Sequence, residues 1–202
     1  MNYLNDVVLQ GIVVNKIVTP KTAVLFINTG SATKVANFPK VVCFGALRDK
    51  VVADVKKGNR VRVLGNVQSS IPNENNKDRD LLTIFADEVT PAQSLMSQSF
   101  NVESAGSYKP FENSVKLAGS VVKIRQLTDN LFNVVVFTKK NDRVSFVTVS
   151  HYTKTPEAFV NSVKVKDAVY VLGNVQTVKK EIKGEMHYFQ NYVATEIVKQ
   201  ED

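Results

Sequence analysis

Residues 61–68 read Val-Arg-Val-Leu-Gly-Asn-Val-Gln, and residues 169–176 read Val-Tyr-Val-Leu-Gly-Asn-Val-Gln. The two stretches lie 169 − 61 = 108 residues apart in a chain of 202 residues. The sequence around them repeats at the same offset, so the chain is most simply one domain present twice. Positions that agree at this offset include Asn5, Leu9, Gly11, Phe38 and Val55, which are matched by Asn113, Leu117, Gly119, Phe146 and Val163.

The repeat predicts two domains of similar length, each large enough to form one small hydrophobic core. We expect the first domain at residues 1–93 and the second at residues 112–202. Residues 94–111 are dominated by Ser, Gln, Gly and Asn, with few apolar side chains, which is typical of a linker.

Composition narrows the function classes. The chain carries 26 Lys and Arg against 19 Asp and Glu, a net charge of +7, which supports an anionic partner such as nucleic acid. The single cysteine, Cys43, excludes an intramolecular disulfide and makes a cysteine-based metal cage implausible. No apolar run approaches the ~20 residues that a membrane helix needs, and the N-terminus lacks an export signal. The sequence therefore predicts no membrane partner and a cytoplasmic location.

Hydrophobic periodicity predicts an all-β chain with one short helix per domain. In each half, three strands precede the helix and two strands follow it. This is the order of the OB-fold, a five-stranded Greek-key barrel that binds oligonucleotides or oligosaccharides, whereas an SH3-like barrel lacks a helix at that point. The predicted strands are residues 6–14, 22–28, 38–44, 61–68 and 81–89, then 115–123, 132–138, 143–152, 168–177 and 186–198.

The ends of the two predicted helices are marked differently. Leu47, Val51 and Val55 form the apolar stripe of the first helix, and Gly58 stands where a left-handed C-terminal cap would belong. The second helix has Thr155 as the expected N-cap and Pro156 in its first turn.

Three motifs carry a resemblance to a known family. Residues 41–45 read Val-Val-Cys-Phe-Gly, residues 56–61 read Lys-Lys-Gly-Asn-Arg-Val, and Asn-x-Val-x-Leu-x-Gly occurs at 5–11 and again at 113–119. In this arrangement the chain resembles the bacterial single-stranded DNA-binding protein (SSB) family, although Thr153 replaces the family's glycine in the second copy. The resemblance implies a tandem OB-fold protein that coats single-stranded DNA, and it implies a homodimer.

The sequence departs from that family in two places. Ile71, Pro72 and Val178 occupy the region after the fourth strands, where the family carries an aromatic residue. The family also ends in an acidic tail that recruits enzymes, whereas this sequence stops just after the last predicted strand. The resemblance therefore does not extend to recruitment by such a tail, and the missing tail favours a phage or mobile-element origin over a chromosomal one, with both left open.

Period-two alternation predicts a binding face. In the third strand it places Phe38, Lys40 and Phe44 on one face, and the same parity in the second copy joins Phe146 to Tyr152. Stacking of bases on such aromatic side chains contributes ~1–3 kcal/mol per base and tolerates any sequence. Neighbouring cations would contact the phosphates. These cations are Arg48, Arg62 and Arg79 beside Lys40 in the first copy, and Lys139, Lys140, Arg143, Lys154, Lys179, Lys180 and Lys183 in the second.

Other aromatic residues are assigned by the ordinary preference of strand aromatics for the core. Tyr188 and Tyr192 share one parity on the last predicted strand and are weaker binding candidates. The residues expected in the core are Phe26, Phe85, Phe132, Phe137 and Phe159.

Nothing in the sequence points to catalysis, a metal or a cofactor. His151 and His187 are isolated, and no phosphate-binding glycine loop or nucleophile elbow is present. We therefore expect a non-enzymatic protein that binds single-stranded DNA without sequence preference and protects it during replication, recombination or repair. Two alternatives stay open: a replisome or primosome accessory scaffold whose main partner is a replication or recombination protein, and an RNA-binding OB protein.

Overall fold

The structure is a computed structural model and describes residues 2–30, 37–69, 82–91, 111–182 and 184–200. None of the helices in these ranges is long and apolar enough to cross a membrane. The strands are β1 (Leu4–Val18), β2 (Thr22–Asn28), β3 (Lys40–Phe44), β4 (Arg60–Ser69), β5 (Leu82–Pro91), β6 (Glu112–Thr128), β7 (Leu131–Lys140), β8 (Arg143–Tyr152), β9 (Ala168–Ile182) and β10 (Glu185–Lys199), and the helices are α1 (Gly45–Asp54) and α2 (Pro156–Ser162).

The first five strands close into a ring. β1 pairs antiparallel with both β2 and β4, β2 pairs with β3, and β3 pairs parallel with β5. β5 lies beside β4 in the sheet order, which completes a closed five-stranded barrel.

The second five strands repeat this order. β6 pairs with β7 and β9, β7 with β8, β8 parallel with β10, and β10 antiparallel with β9. The prediction of two tandem OB-folds, each a five-stranded barrel with one short helix between its third and fourth strands, is confirmed.

Contacts divide the chain into two compact units, which we call the C-terminal and N-terminal units. The C-terminal unit consists of Met1–Asp6, Val67–Thr83 and Ser114–Asp202, and the N-terminal unit of Val7–Asn66 and Ile84–Asn113. The domain limits at 1–93, 94–111 and 112–202 stay a prediction, and most of the expected linker lies outside the described residues.

Alternating burial builds the two cores. β2 buries Ala23, Leu25 and Ile27 on one face, and β7 buries Phe132 and Val134 in the same way. Removing such apolar surface from water is the main favourable contribution to folding. The two helices close their barrels with one buried side chain each, Val51 in α1 and Phe159 in α2.

Gly11 and Gly119 occupy equivalent positions where two strands approach closely. A Cβ atom at Gly11 would overlap the carbonyl oxygen of Asn28, and one at Gly119 would overlap the carbonyl oxygen of Phe137. The register of each strand shifts a few residues further on, between Val13 and Asn15 in β1 and between Val121 and Lys123 in β6, as at a β-bulge.

The predicted glycine cap of α1 is wrong. The helix ends at Asp54, and Val55 is its C-cap in an extended conformation. Lys16 satisfies the last turn instead, because its Nζ donates to the carbonyl oxygens of Val52 at 3.1 Å and Val55 at 2.5 Å. Gly58 does have a positive φ of 89°, but it lies in the turn that leads to β4. In the second copy the predicted N-cap is correct in position, since Thr155 precedes α2, although its side chain makes no capping hydrogen bond.

Candidate nucleic-acid interface

In the N-terminal unit, an aromatic pair lies at the end of β3. Phe44 is the last residue of this strand and is 48% exposed. Phe85 on β5 stacks against it, with ring centroids 5.5 Å apart and an angle of 24° between the planes. The parallel pairing of β3 with β5, which sets Val42 opposite Phe85, brings the two rings together. The result is a flat aromatic surface open to solvent at one side.

Phe26 and Lys40 extend this face along β2 and β3. The two residues are direct partners in the antiparallel register, and Lys40 is exposed while Phe26 is half-buried. Phe38 is also half-buried and precedes β3. The prediction that Phe26 and Phe85 are core residues is therefore wrong, because both side chains lie on the face opposite the buried residues of their strands.

In the C-terminal unit, three aromatic rings form a row. Phe146 is 44% exposed and meets the ring of Phe137 edge to face at 5.5 Å. Tyr3 also meets the ring of Phe137 edge to face, at 5.5 Å. Phe137, which was predicted to lie in the core, is half-buried because its strand partner is Phe146 on the outward face.

The far end of β8 carries a second exposed ring. Tyr152 is 66% exposed and lies opposite Leu131 of β7. Tyr152 lies six residue steps after Phe146 on the same strand, about 20 Å at ~3.3 Å per step. Half-buried polar side chains lie between the two rings, and Ser150 Oγ donates to Asn133 Oδ1 at 3.1 Å. The face thus alternates stacking surfaces with hydrogen-bonding groups.

Two cations on this face were missed by the sequence analysis. Lys123 and Arg125 of β6 are exposed and lie opposite the outward residues Val135 and Asn133 of β7. The predicted first strand of the second copy ended at residue 123, whereas β6 continues to Thr128. No period-two signal marks this stretch in the sequence, because residues 122–129 are nearly all exposed and residues 125–130 are mostly polar. Tyr3 was missed as well.

The cations of the β7–β8 hairpin are partly neutralised. Lys139 Nζ lies 2.9 Å from Asp142 Oδ1, and Lys140 Nζ lies 2.9 Å from Asp6 Oδ1. Arg143 is exposed at the start of β8. Ion pairs this exposed are weak and screened by salt, so a phosphate group could replace either carboxylate at low cost.

The predicted cations of the N-terminal unit are dispersed. Arg48 lies in α1, where it donates to the carbonyl oxygen of Thr19 at 2.9 Å and to Asp49 Oδ1 at 2.6 Å. Its Nε is buried without a hydrogen-bond partner among the described residues. Arg62 lies on β4 opposite Gln10 of β1, away from the β2–β3 register. Of the predicted cations described in this unit, Lys40 is the one that strand pairing sets beside an aromatic residue.

The remaining candidates lie around β9 and β10. Tyr188 is 62% exposed and its backbone pairs with that of Lys179, while Lys154 is exposed two residues after Tyr152. The prediction that Tyr192 is a binding residue is wrong, because it lies in the core: it is 1% exposed, its hydroxyl donates to the carbonyl oxygen of Val115 at 2.9 Å, and burial raises its pKa. Arg79, Lys183 and the side chains of Lys179 and Lys180 lie outside the described residues.

The described titratable groups do not form a catalytic or metal-binding constellation. His151 packs its ring 4.8 Å from that of Phe159, and burial lowers its pKa. Within the described ranges, no cluster of three or more His, Cys, Asp or Glu residues could hold a metal ion. What the outward faces offer chemically is aromatic surface, amide and hydroxyl groups, and cations.

Sequence and fold comparisons differ in what they find. No protein-family model matches this chain, and no curated protein matches it. A solved structure of a deletion variant of the single-stranded DNA-binding protein from Thermus aquaticus matches with a TM-score of 0.67 and 16% identity, covering 99% of this chain and 96% of that chain. The wild-type protein from the same organism gives a TM-score of 0.65 and 16% identity, covering 100% and 95% of the two chains. The chain is therefore similar in fold, over its whole length, to the single-stranded DNA-binding protein of Thermus aquaticus.

Proposed function

We propose that this protein binds single-stranded DNA along the outward faces of its two barrels, without sequence preference. The single observation that carries the proposal is a repeated exposed ring. Phe44 and Tyr152 stand 108 residues apart, each at the end of the third strand of its barrel, and they are 48% and 66% exposed. A large aromatic side chain that is exposed at the same place in both copies adds little to the barrel cores, and base stacking would give it a role.

Stacking would provide most of the base contact. Each base offers an apolar face to a ring, so the interaction does not depend on which base is present. Phe44 stacks on Phe85, and Phe146 packs edge to face on Phe137. These contacts restrict the orientations of the two exposed rings. Rings held in this way lose little conformational freedom when a base stacks on them.

Cations would supply the sequence-independent contact with the phosphates. Lys40 lies in the N-terminal unit beside Phe26, and Lys123 and Arg125 lie beside the polar middle of the face of the C-terminal unit. Each phosphate neutralised releases counterions, so affinity should fall steeply as salt rises.

The similarity in fold also supports the proposal, because the Thermus aquaticus neighbour is a single-stranded DNA-binding protein. In the cell the protein would cover exposed strands in the cytoplasm and keep them unpaired during replication, recombination or repair.

Substitution of the two exposed rings tests the proposal. We expect Phe44→Ala and Tyr152→Ala each to weaken binding of a fluorescent oligo-dT by about 5- to 150-fold, the equivalent of ~1–3 kcal/mol per base. Both variants should fold, because about half of each side chain is already in water. Phe111→Ala is the matched control: this ring is 38% exposed but lies under Arg60 of β4, not at the end of β3. Wild-type affinity in both ring variants, or loss of folding in both, would refute the assignment.

A further inference from the structure

The C-terminal unit contains an open groove that is separate from the aromatic face. It lies between the β6–β7 turn and α2, and its volume is about 440 Å³. Its lining combines apolar surface with two carboxylates. The lining residues are Gln126, Asp129, Phe132, Pro156, Glu157, Val160 and Asn161.

The two helices can be aligned by their C-terminal ends. Val55 and Val163 are the C-caps, and their backbone N–H groups donate to the carbonyl oxygens of Val51 and Phe159. Three residues before Val51 stands Arg48, and three residues before Phe159 stands Pro156. The positions of Arg48 and Pro156 are therefore equivalent.

In the N-terminal unit the position equivalent to the groove is occupied by the side chain of Arg48. The guanidinium of Arg48 reaches from α1 to the β1–β2 turn, where it donates to the carbonyl oxygen of Thr19 at 2.9 Å, and it also contacts Asp49 at 2.6 Å. Asp49 is equivalent to Glu157 at the offset of 108 residues. Thr19 and Asp129 are each the first residue of the turn after the first strand of their barrel.

Replacement of the arginine by Pro156 removes the guanidinium from the C-terminal unit, where the carbonyl oxygen of Asp129 instead accepts a hydrogen bond from Gln126 Nε2 at 3.3 Å. Proline at the first position of a helix supplies no donor and reaches no further than its ring. The carboxylates of Asp129 and Glu157 remain, and no Lys or Arg is among the residues that line the groove. A protein with a net charge of +7 therefore carries a local acidic groove with an apolar floor.

We propose that this groove binds an arginine side chain from a peptide segment of a partner protein. The guanidinium takes the place that Arg48 fills in the other unit and contacts Glu157 and Asp129, while its methylene stem packs on Pro156 and Val160. Arginine fits better than lysine because its planar fork pairs with carboxylates in two directions and its stem covers apolar surface. The inference goes beyond the proposed DNA binding and does not rest on it.

Titration with a pair of peptides tests the inference. The probe is acetyl-Gly-Leu-Arg-Leu-Gly-amide, and the comparison peptide has citrulline, which is neutral and nearly isosteric, in place of arginine. We expect the arginine peptide to shift the backbone amide NMR signals of Asp129, Glu157 and Asn161, with an affinity at least about threefold above that of the citrulline peptide. Equal binding of the two peptides, or shifts confined to other parts of the chain, would overturn the proposal.

Three variants separate the outcomes. Pro156→Arg supplies the side chain in cis and should abolish peptide binding, whereas Pro156→Ala supplies no guanidinium and should keep it. Glu157→Gln should weaken binding of the arginine peptide about two- to fivefold, the range for an exposed ion pair. Glu196→Gln removes an exposed carboxylate of β10 outside the groove and is the control. If the wild-type chain self-associates in sedimentation and the Pro156→Arg variant does not, the occupant is a second copy, and the assignment to a partner protein is wrong.

Discussion

Replacement of Lys166 by glycine should stabilise the protein. Lys166 has a backbone φ of 78°, in the left-handed region, and the equivalent residue of the other copy is Gly58, with a φ of 89°. The two turns are otherwise alike. The amide N–H of Gly58 donates to the carbonyl oxygen of Val13 at 2.8 Å, and that of Lys166 donates to the carbonyl oxygen of Val121 at 2.8 Å. The turn therefore requires this conformation, and lysine adopts it under strain.

The expected gain follows from two opposing contributions. A side chain in the left-handed conformation costs about 1–2 kcal/mol, because Cβ approaches the following carbonyl oxygen. Glycine removes that cost but loses about 0.5–1 kcal/mol through the greater conformational freedom of the unfolded chain. The net stabilisation should be about 0.5–1 kcal/mol, which raises the melting temperature of a chain of this size by about 1–4 °C.

Calorimetry or denaturant unfolding of three variants measures this gain. Lys166→Ala is the matched control, since it removes the charge but keeps Cβ, and it should give no comparable stabilisation. The reverse change, Gly58→Lys, should destabilise by a similar amount, because a Cβ at this position meets no atom within 4 Å and only the backbone cost applies. Stabilisation by Lys166→Ala equal to that by Lys166→Gly would contradict the reasoning, because it would assign the effect to charge.

The other predictions concern buried groups. Cys43 is fully buried, and burial raises the pKa of its thiol to about 11. A thiol reagent such as DTNB should therefore label it far more slowly in the native protein than in urea, and equal labelling rates would contradict the burial. Burial lowers the pKa of His151 below its ordinary value of 6.5, so the unfolded state takes up the proton first as the pH falls. The contribution of neutral His151 to stability should be fully present above pH 6.5 and should be lost as the pH drops below it. The His151→Gln variant should lose less stability over the same pH range. Asn5 is buried and exchanges two hydrogen bonds with the backbone of Val67, at 2.7 and 2.8 Å, so Asn5→Ala should lower the free energy of unfolding by about 1–3 kcal/mol in urea titration, while a change below 0.5 kcal/mol would count against the pair.

Much of the fold can be predicted from the sequence because the repeat gives two sequence versions of each strand and helix. Weak patterns in one copy are clear in the other: Thr155 and Pro156 mark the start of α2 in the sequence, whereas Phe44 and Gly45 at the start of α1 give no such signal.

The alternation in the third strand predicted exposure in part, since β3 buries Val41 and Cys43 and exposes Lys40 and Phe44, but it also buries Val42, which shares the parity of Phe44. Strand periodicity depends on local backbone geometry alone, so it can be recognised in the sequence without the tertiary structure.

What could not be predicted depends on partners distant in sequence. Phe85 and Phe137 have the apolar character of core residues, and only strand pairing shows that each lies against another ring on the open face. Lys16 stabilises the end of α1 from a strand about 35 residues earlier in the chain, so local sequence pointed to Gly58 instead. Arg48 looked like a phosphate contact, but its bond to Thr19 requires the turn and the helix to be adjacent.

The most direct test of the proposed function is one titration followed by fluorescence anisotropy. The protein is added to labelled oligo-dT, oligo-rU and duplex DNA of equal length at two salt concentrations. We predict that oligo-dT binds most tightly, that the duplex binds most weakly, and that affinity for the single strand falls steeply with salt because phosphate contacts release counterions. Weak binding to all three, independent of oligonucleotide length, would instead indicate a scaffold whose partner is protein. Tighter binding to oligo-rU would indicate an RNA-binding protein, and either result would contradict the proposed function.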